Sequence, residues 1–218
     1  MHTPRRALFV LLLLLGFLSI AAGISLALVR PPAFHGLPFE KPIPAPEFAL
    51  TDQHGQTVRL SDYRGKVVVL FFGFTHCTVE CPITLATFKR VAALLGDDAA
   101  RVRFVFITVD PQRDTSARLG EFLAQFDPTF VGLTGSLEEI EDVARAYTVF
   151  FNEIPVTPSP GAHIHADGAT HLHDAEDAYL VNHTTLVQVI DQTGMMRLVF
   201  PYEARADAIA ADLERLLR

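Results

Sequence analysis

Residues 67–82 read Val-Val-Val-Leu-Phe-Phe-Gly-Phe-Thr-His-Cys-Thr-Val-Glu-Cys-Pro, and this stretch carries both cysteines of the 218-residue chain. The continuous apolar run from Val67 to Phe72 predicts a strand covered on both faces. The segment from Pro82 to about Leu95 predicts a helix, because its apolar residues recur at helical spacing. The positive end of a helix dipole favours a thiolate. The stretch therefore predicts a site that binds a soft metal or exchanges disulfides.

The N-terminal segment has the composition of a membrane anchor. An uncharged run of 23 residues extends from Ala7 to Val29, after Arg5 and Arg6. A helix needs roughly 20 apolar residues to cross a bilayer. We expect residues 1–30 to form one transmembrane helix, with a cleaved signal peptide as the alternative. The flanking arginines predict a single-pass protein of the cytoplasmic (inner) membrane, with its C-terminal domain on the periplasmic, extracytoplasmic side.

An exported domain meets oxidising conditions, so the two cysteines could form a structural disulfide instead of a reactive or metal-binding site. Cys77 and Cys81 are four positions apart. A disulfide that closes so short a loop constrains little of the unfolded chain. Reaction or metal binding is therefore the favoured interpretation.

The charge pattern excludes one class of partner. The formal net charge is −7, and no basic cluster of the kind that nucleic acid requires is present. We expect no nucleic-acid binding.

The rest of the chain alternates strands and helices. Residues 31–47 are rich in proline and predict an extended tether, and residues 48–218 predict one domain that opens with a hairpin around His54-Gly55. This order predicts an α/β fold, a three-layer α/β/α sandwich. The further strands are predicted at 102–110, 130–133, 148–154, 185–191 and 195–200, and the further helices at 114–126, 136–147 and 203–217, where Ser136 and Glu139 form a capping box.

Three local motifs resemble one family. They are Phe74-Thr-His-Cys-x-x-x-Cys-Pro82, Val109-Asp-Pro-Gln-Arg-Asp-Thr115 and Tyr179-Leu-Val-Asn-His-Thr184. Over roughly residues 44–217 the chain resembles the thioredoxin superfamily and, within it, the SCO/SenC family of membrane-anchored copper proteins of cytochrome c oxidase assembly. Two positions depart from the family pattern: Thr78 replaces a proline common between the cysteines, and Asn182 stands where an aspartate often precedes the histidine.

The resemblance implies a thioredoxin-like domain that binds one copper ion through Cys77, Cys81 and His183. Thiolates select Cu(I), and imidazole suits either oxidation state, so the set can hold Cu(I) and accept Cu(II). A structural zinc site normally has four protein ligands, and three are evident here. The alternative for His183 is a polar residue at a strand end. Thioredoxin-like enzymes usually carry a cis-proline at this place, and its absence argues against a general disulfide reductase.

Other polar residues are weaker candidates. His76, Asp110 and Asp114 are possible supporting residues around the ligands; ordinary packing is the alternative for His76, and a salt-bridged turn is the alternative for the aspartates. Residues 155–178 form a polar stretch too long for a routine connection. It contains four histidines that are a possible auxiliary metal site, with random loop composition as the alternative, namely His163, His165, His171 and His173.

The expected function is copper delivery rather than enzymatic catalysis. By resemblance, the recipient is the dinuclear copper centre of cytochrome c oxidase subunit II or another cuproprotein, with an upstream copper donor or thiol reductant as a further partner. The alternative is a thiol–disulfide oxidoreductase that reduces the recipient's cysteines with Cys77 and Cys81. A peroxide-reducing enzyme fits less well, because His183 has no clear place in that chemistry.

Overall fold

Short strands alternate with helices along the polypeptide, and the computed structural model describes residues 12–19, 33–155 and 179–218. The strands are β1 (Leu37–Pro44), β2 (Ala49–Asp52), β3 (Thr57–Arg59), β4 (Val67–Gly73), β5 (Val102–Thr108), β6 (Val131–Thr134), β7 (Phe151–Pro155), β8 (Tyr179–His183), β9 (Leu186–Ile190) and β10 (Met195–Pro201). After residue 33, the α-helices are α1 (Glu80–Leu95), α2 (Ser116–Ala124), α3 (Leu137–Ala146) and α4 (Ala206–Leu216), with 3-10 turns at Leu60–Tyr63 and Gly96–Arg101.

Most of these strands form one mixed sheet. Within the described residues its order is β1-β10-β9-β4-β5-β6-β2-β3, and β7 pairs with β8 in a separate two-stranded ribbon. Strands β4, β5 and β6 are parallel, whereas β9 runs antiparallel to β4. Every residue of β4 is buried, as its continuous apolar run predicts. The central strand therefore delivers the cysteine segment from the middle of the sheet.

Helices and loops cover both faces of this sheet. Successive residues of a strand point to opposite faces. The ring of Phe71 meets Phe88 of α1 at 6.3 Å between centroids, whereas the ring of Phe72 meets Tyr147, at the end of α3, at 5.8 Å. The predicted three-layer α/β arrangement is confirmed over the described residues.

Several local predictions are also confirmed. Strands β2 and β3 pair as a hairpin, and Ser136 and Glu139 form both hydrogen bonds of the capping box that opens α3. The apolar residues whose helical spacing predicts α1 are buried, namely Leu85, Phe88, Val91 and Leu95.

The proline-rich segment, predicted as an extended tether, forms a strand of the sheet. Strand β1 pairs antiparallel with β10 at one edge of the sheet. Proline is tolerated on an edge strand because its missing N–H is needed only on the paired side. Residues 37–44 are thus part of the sheet, and the compact unit runs from His35 to Arg218 rather than from residue 48.

Two predicted segments lie mostly or wholly outside the described residues. Of the predicted anchor at residues 1–30, the structure describes only 12–19, which are helical. In the described ranges, none of the helices has both the length and the apolar character needed to cross a bilayer. Residues 156–178, with the four loop histidines, are outside the described part of the chain.

Candidate metal centre

The two cysteines lie where β4 passes into α1. Strand β4 ends at Gly73, and α1 begins at Glu80, so Cys77 lies in the connecting loop and Cys81 in the first helical turn. Both side chains are buried, and the amide of Cys81 donates a hydrogen bond to Cys77 Sγ at 3.3 Å. Gly73 leaves the room that Cys81 occupies, because a Cβ at this position would lie 2.7 Å from Cys81 Sγ.

The two cysteines are free thiols, and their pKa values are shifted in opposite directions. The pKa of Cys77 is lowered, chiefly because its thiolate accepts a hydrogen bond from the Cys81 thiol and secondarily through His183. The pKa of Cys81 is raised, because its proton is held by the Cys77 thiolate and because it is buried. One thiol of the pair therefore ionises first, and that thiol is Cys77.

His183 reaches the thiols from the last residue of β8. Its Nε2 lies 3.9 Å from Cys81 Sγ, and its Nδ1 lies 3.1 Å from the carbonyl oxygen of Thr184. A hydrogen bond from Nδ1–H to that carbonyl leaves Nε2 with a lone pair that points toward the sulfurs. The rings of Phe71 and Phe74 contact the imidazole edge to face, at centroid distances of 6.2 and 5.6 Å, and hold its orientation.

Cys77, Cys81 and His183 form a set of potential metal ligands. One ligand atom from each lies within 4.8 Å of the others. Cys77 and His183 line a cavity of about 240 Å³ beside α1, which Thr78 and Asn182 also line. Two sulfurs and one imidazole nitrogen suit a soft metal, and the cavity gives access to one side of the set.

Asp114 lies below the cysteine loop and is fully buried. Its carboxylate accepts hydrogen bonds from the Thr75 amide at 2.9 Å, the Thr75 hydroxyl at 2.6 Å and the Thr108 hydroxyl at 2.7 Å. Burial raises its pKa, and these hydrogen bonds oppose that change. His76 Nδ1 is 3.3 Å from Thr75 Oγ1 and 4.0 Å from Asp114 Oδ1. Asp114 thus fixes the loop two residues before Cys77.

Asp110 links β8 to the end of β5. Its Oδ1 accepts a hydrogen bond from the Tyr179 hydroxyl at 2.7 Å, and its Oδ2 accepts one from Arg113 Nε at 2.5 Å. Arg113 also donates to the Tyr179 carbonyl at 3.1 Å, and its guanidinium carbon lies 3.9 Å from the centre of the Tyr179 ring. His76, Asp110 and Asp114 also lie within 4.8 Å of one another, but these hydrogen bonds already occupy both carboxylates.

Sequence reasoning missed two residues beside this site. Tyr179 was seen only as part of a motif, and its role in holding β8 depends on a contact with a residue 69 positions away. Glu80 lies between the cysteines' positions in the sequence and also lines the cavity. In the sequence, its position directly before Cys81 was the one signal that it lies near the thiols.

Comparisons with known proteins all indicate the same family. The SCO1/SenC family model matches residues 39–218. The human mitochondrial SCO1 homologue is 32% identical over 180 residues, which are 82% of this chain and 54% of that protein. The chain therefore spans little more than half the length of this curated relative.

Two solved structures are similar over most of the domain. Copper-bound ScoI from Bradyrhizobium japonicum is 33% identical with a TM-score of 0.66, covering 80% of this chain and 100% of that one. Apo Sco1 from Thermus thermophilus is 34% identical with a TM-score of 0.69, covering 85% and 98%. The domain thus shares a mixed α/β, thioredoxin-like fold with these structures, and the chain belongs to the SCO1/SenC family.

Proposed function

We propose that this protein is a membrane-anchored copper metallochaperone that delivers copper to the dinuclear copper centre of cytochrome c oxidase. The observation that carries the proposal is the convergence of Cys77, Cys81 and His183, with ligand atoms within 4.8 Å of one another. The copper-bound structure of a relative with 33% identity supports copper as the ion that these residues hold. Copper is the cargo in this proposal, with one ion per domain.

The ligand set suits a cargo that must be held and then released. The thiolates of Cys77 and Cys81 supply soft donors for Cu(I), and His183 Nε2 supplies a donor that suits Cu(I) and Cu(II). Three protein ligands leave a position open to an incoming ligand of the recipient. The cavity of about 240 Å³ beside Cys77 and His183 supports transfer by exchange of ligands from that side.

The location and partners extend the proposal. Residues 1–30 anchor the protein in the cytoplasmic membrane, so that the His35–Arg218 domain faces the periplasmic side; the uncharged run Ala7–Val29 supports this. The recipient is subunit II of cytochrome c oxidase or another cuproprotein, and an upstream donor or reductant prepares the site. The histidines of residues 163–173 act as an auxiliary site of metal capture.

Copper binding by the reduced chain tests the function. The four loop histidines are first replaced by glutamine, so that the proposed ligands are measured alone. We expect one tightly held copper and a thiolate-to-Cu(II) charge-transfer band. His183→Ala removes a ligand and should weaken binding by more than the roughly 10–100-fold that is lost with an outer partner of a metal site.

A matched control is His54→Ala, because His54 is exposed in the β2–β3 turn. This variant should bind copper as the parent chain does. The proposed site would be excluded if His183→Ala kept the thiolate-to-Cu(II) band as His54→Ala does. It would also be excluded if the chain held copper only when the loop histidines were intact.

A second function, disulfide exchange, is favoured by the unequal acidities of the thiols. The lowered pKa of Cys77 makes it the attacking thiolate on a partner's disulfide, and Cys81 then displaces the partner's thiolate from the mixed disulfide. The products are a Cys77–Cys81 disulfide and a reduced partner. His183 separates the two functions, because copper binding needs its imidazole as a ligand, whereas disulfide exchange proceeds through the two sulfurs and forms no bond to it.

A further inference from the structure

A carboxylate lies beside the proposed copper ligands. Glu80 is the first residue of α1, and its Oε2 lies 3.4 Å from Cys77 Sγ. The side chain is half-buried and lines the same cavity as Cys77 and His183. The carboxylate therefore lies next to Cys77, although it is not among the three ligand atoms that lie within 4.8 Å of one another.

This contact brings two acidic groups together, because Glu80 Oε2 is 3.4 Å from Cys77 Sγ. Metal binding requires thiolates, so Cys77 carries a negative charge whenever the ion is bound. The thiolate of Cys77 and the carboxylate of Glu80 are then two adjacent negative charges, which repel each other unless a cation lies between them.

Across residues 33–155 and 179–218, no arginine, lysine or histidine side chain forms an ion pair with the Glu80 carboxylate. Its backbone carbonyl accepts a hydrogen bond from Thr84 Oγ1 at 2.8 Å, within the first turn of α1. The N-terminal end of α1 favours this negative charge, and a bound cation would add to that effect.

We propose that Glu80 is a fourth, oxygen ligand of the bound copper and that it biases the site toward Cu(II). This inference rests on the proposed function, because it requires copper at Cys77, Cys81 and His183. A carboxylate oxygen is a hard donor that suits divalent ions, whereas thiolates favour Cu(I). With Glu80, the ligands carry three negative charges, which stabilise a divalent ion more than a monovalent one.

The experiment compares both oxidation states of copper in the full chain, solubilised in detergent and with the four loop histidines replaced by glutamine. Cu(I) and Cu(II) affinities are measured by chelator competition, and Cu(II) coordination by electron paramagnetic resonance and the thiolate charge-transfer band. The variants are Glu80→Gln, Glu80→Asp and the control Glu203→Gln. Glu203 is exposed, and its replacement removes the same charge without touching the cavity lining.

We expect Glu80→Gln to weaken Cu(II) binding roughly tenfold, within the range seen when metal-site partners are lost, and to leave Cu(I) binding nearly unchanged. A tenfold fall in the ratio of Cu(II) affinity to Cu(I) affinity raises the one-electron reduction potential of the bound copper by about 59 mV. Glu80→Asp keeps the charge at the helix start but shortens its reach, so it should lose Cu(II) affinity too. Urea unfolding of each variant checks that the fold is retained.

The outcomes separate this inference from the function beneath it. If the parent chain shows no thiolate-bound copper, the proposed function fails and this inference fails with it. If the parent binds copper but Glu80→Gln matches Glu203→Gln in affinities and resonance spectrum, the oxygen ligand is excluded and the function stands. If Glu80→Asp keeps the full Cu(II) affinity, nearby charge alone explains the preference, and direct ligation is overturned.

Discussion

A single hydrogen atom, the side chain of Gly73, makes room for the candidate metal centre. A Cβ at this position would lie 2.7 Å from Cys81 Sγ and 2.8 Å from Cε2 of Phe106, closer than such atoms approach in proteins. Both neighbours are buried, so neither can move freely into solvent. The close approach explains why the strand ends in glycine immediately before the cysteine loop.

Gly73→Ala should therefore displace Cys81 and strain the core. We expect a loss of about 1–3 kcal/mol in the free energy of unfolding, as for other overpacked positions, together with weaker copper binding. Urea denaturation and copper titration measure the two effects. Gly120→Ala is the matched control, because a Cβ there meets only Gln53 at 3.6 Å. Equal stability and copper affinity in both variants would show that Cys81 has room to spare.

At the residue scale, the sequence predicts the thiols and does not predict what surrounds them. The spacing of Cys77 and Cys81 places them about one helical turn apart, and local spacing is readable from the chain. Gly73 and Glu80 gain their importance from distances to Cys81 and Cys77 across a tight turn. Those distances depend on the path of the loop, which residue types alone do not determine.

The two-stranded ribbon of β7 and β8 is the element that brings His183 to the cysteines. Its register pairs Phe151 with His183 and Ile154 with Leu180, and the Thr184 amide donates to the Phe150 carbonyl at 2.9 Å. Because this ribbon is separate from the main sheet, the side-chain contacts that hold it must include the links from Tyr179 to the β5 end. The position of His183 thus depends on a contact four residues away.

Tyr179→Phe tests this link by removing the hydroxyl that donates to Asp110 while keeping the ring over Arg113. We expect copper affinity to fall roughly tenfold, as for supporting residues of metal sites, and amide hydrogen exchange in the ribbon to accelerate. Tyr202→Phe is the control, since Tyr202 lies just after β10 and outside the ribbon. A Tyr179→Phe chain with unchanged exchange and affinity would show that the strand pairing alone positions His183.

At the element scale, local sequence signals were sufficient to predict helices and strands, but they did not predict which distant strands pair. The capping box of Ser136 and Glu139 lies within four residues, and the structure confirms the helix that it opens. The strand predicted at 148–154 is observed at Phe151–Pro155, but its partner β8 lies beyond the segment 156–178. A sequence pattern indicates that a strand exists; it does not indicate which distant strand completes it.

At the scale of the whole domain, one buried carboxylate connects the start of the compact unit, at His35, to the C-terminal helix. Asp212 of α4 is fully buried and accepts hydrogen bonds from the His35 amide at 2.7 Å and the Gly36 amide at 2.9 Å. His35 Nδ1 lies 3.0 Å from the same carboxylate, and Arg215 lies 3.6 Å away. Gly36 packs so closely on the ring of Phe200 that a Cβ would lie 2.6 Å from it. These contacts join β1 to the C-terminal helix, a pairing that proline content alone could not predict.

Removing β1 should accordingly destabilise the domain. A chain that begins at Pro46 lacks three of the groups that contact Asp212, leaves its carboxylate buried with Arg215 alone, and exposes the edge of β10. Removing partners from a buried polar group costs about 1–3 kcal/mol, so the free energy of unfolding of the Pro46–Arg218 chain should be lower than that of the His35–Arg218 chain by about that amount. Copper stoichiometry should stay the same, because β1 carries none of the proposed ligands. Identical unfolding midpoints for the two chains would show that residues 35–45 act as a tether after all, with their pairing to β10 too weak to stabilise the sheet.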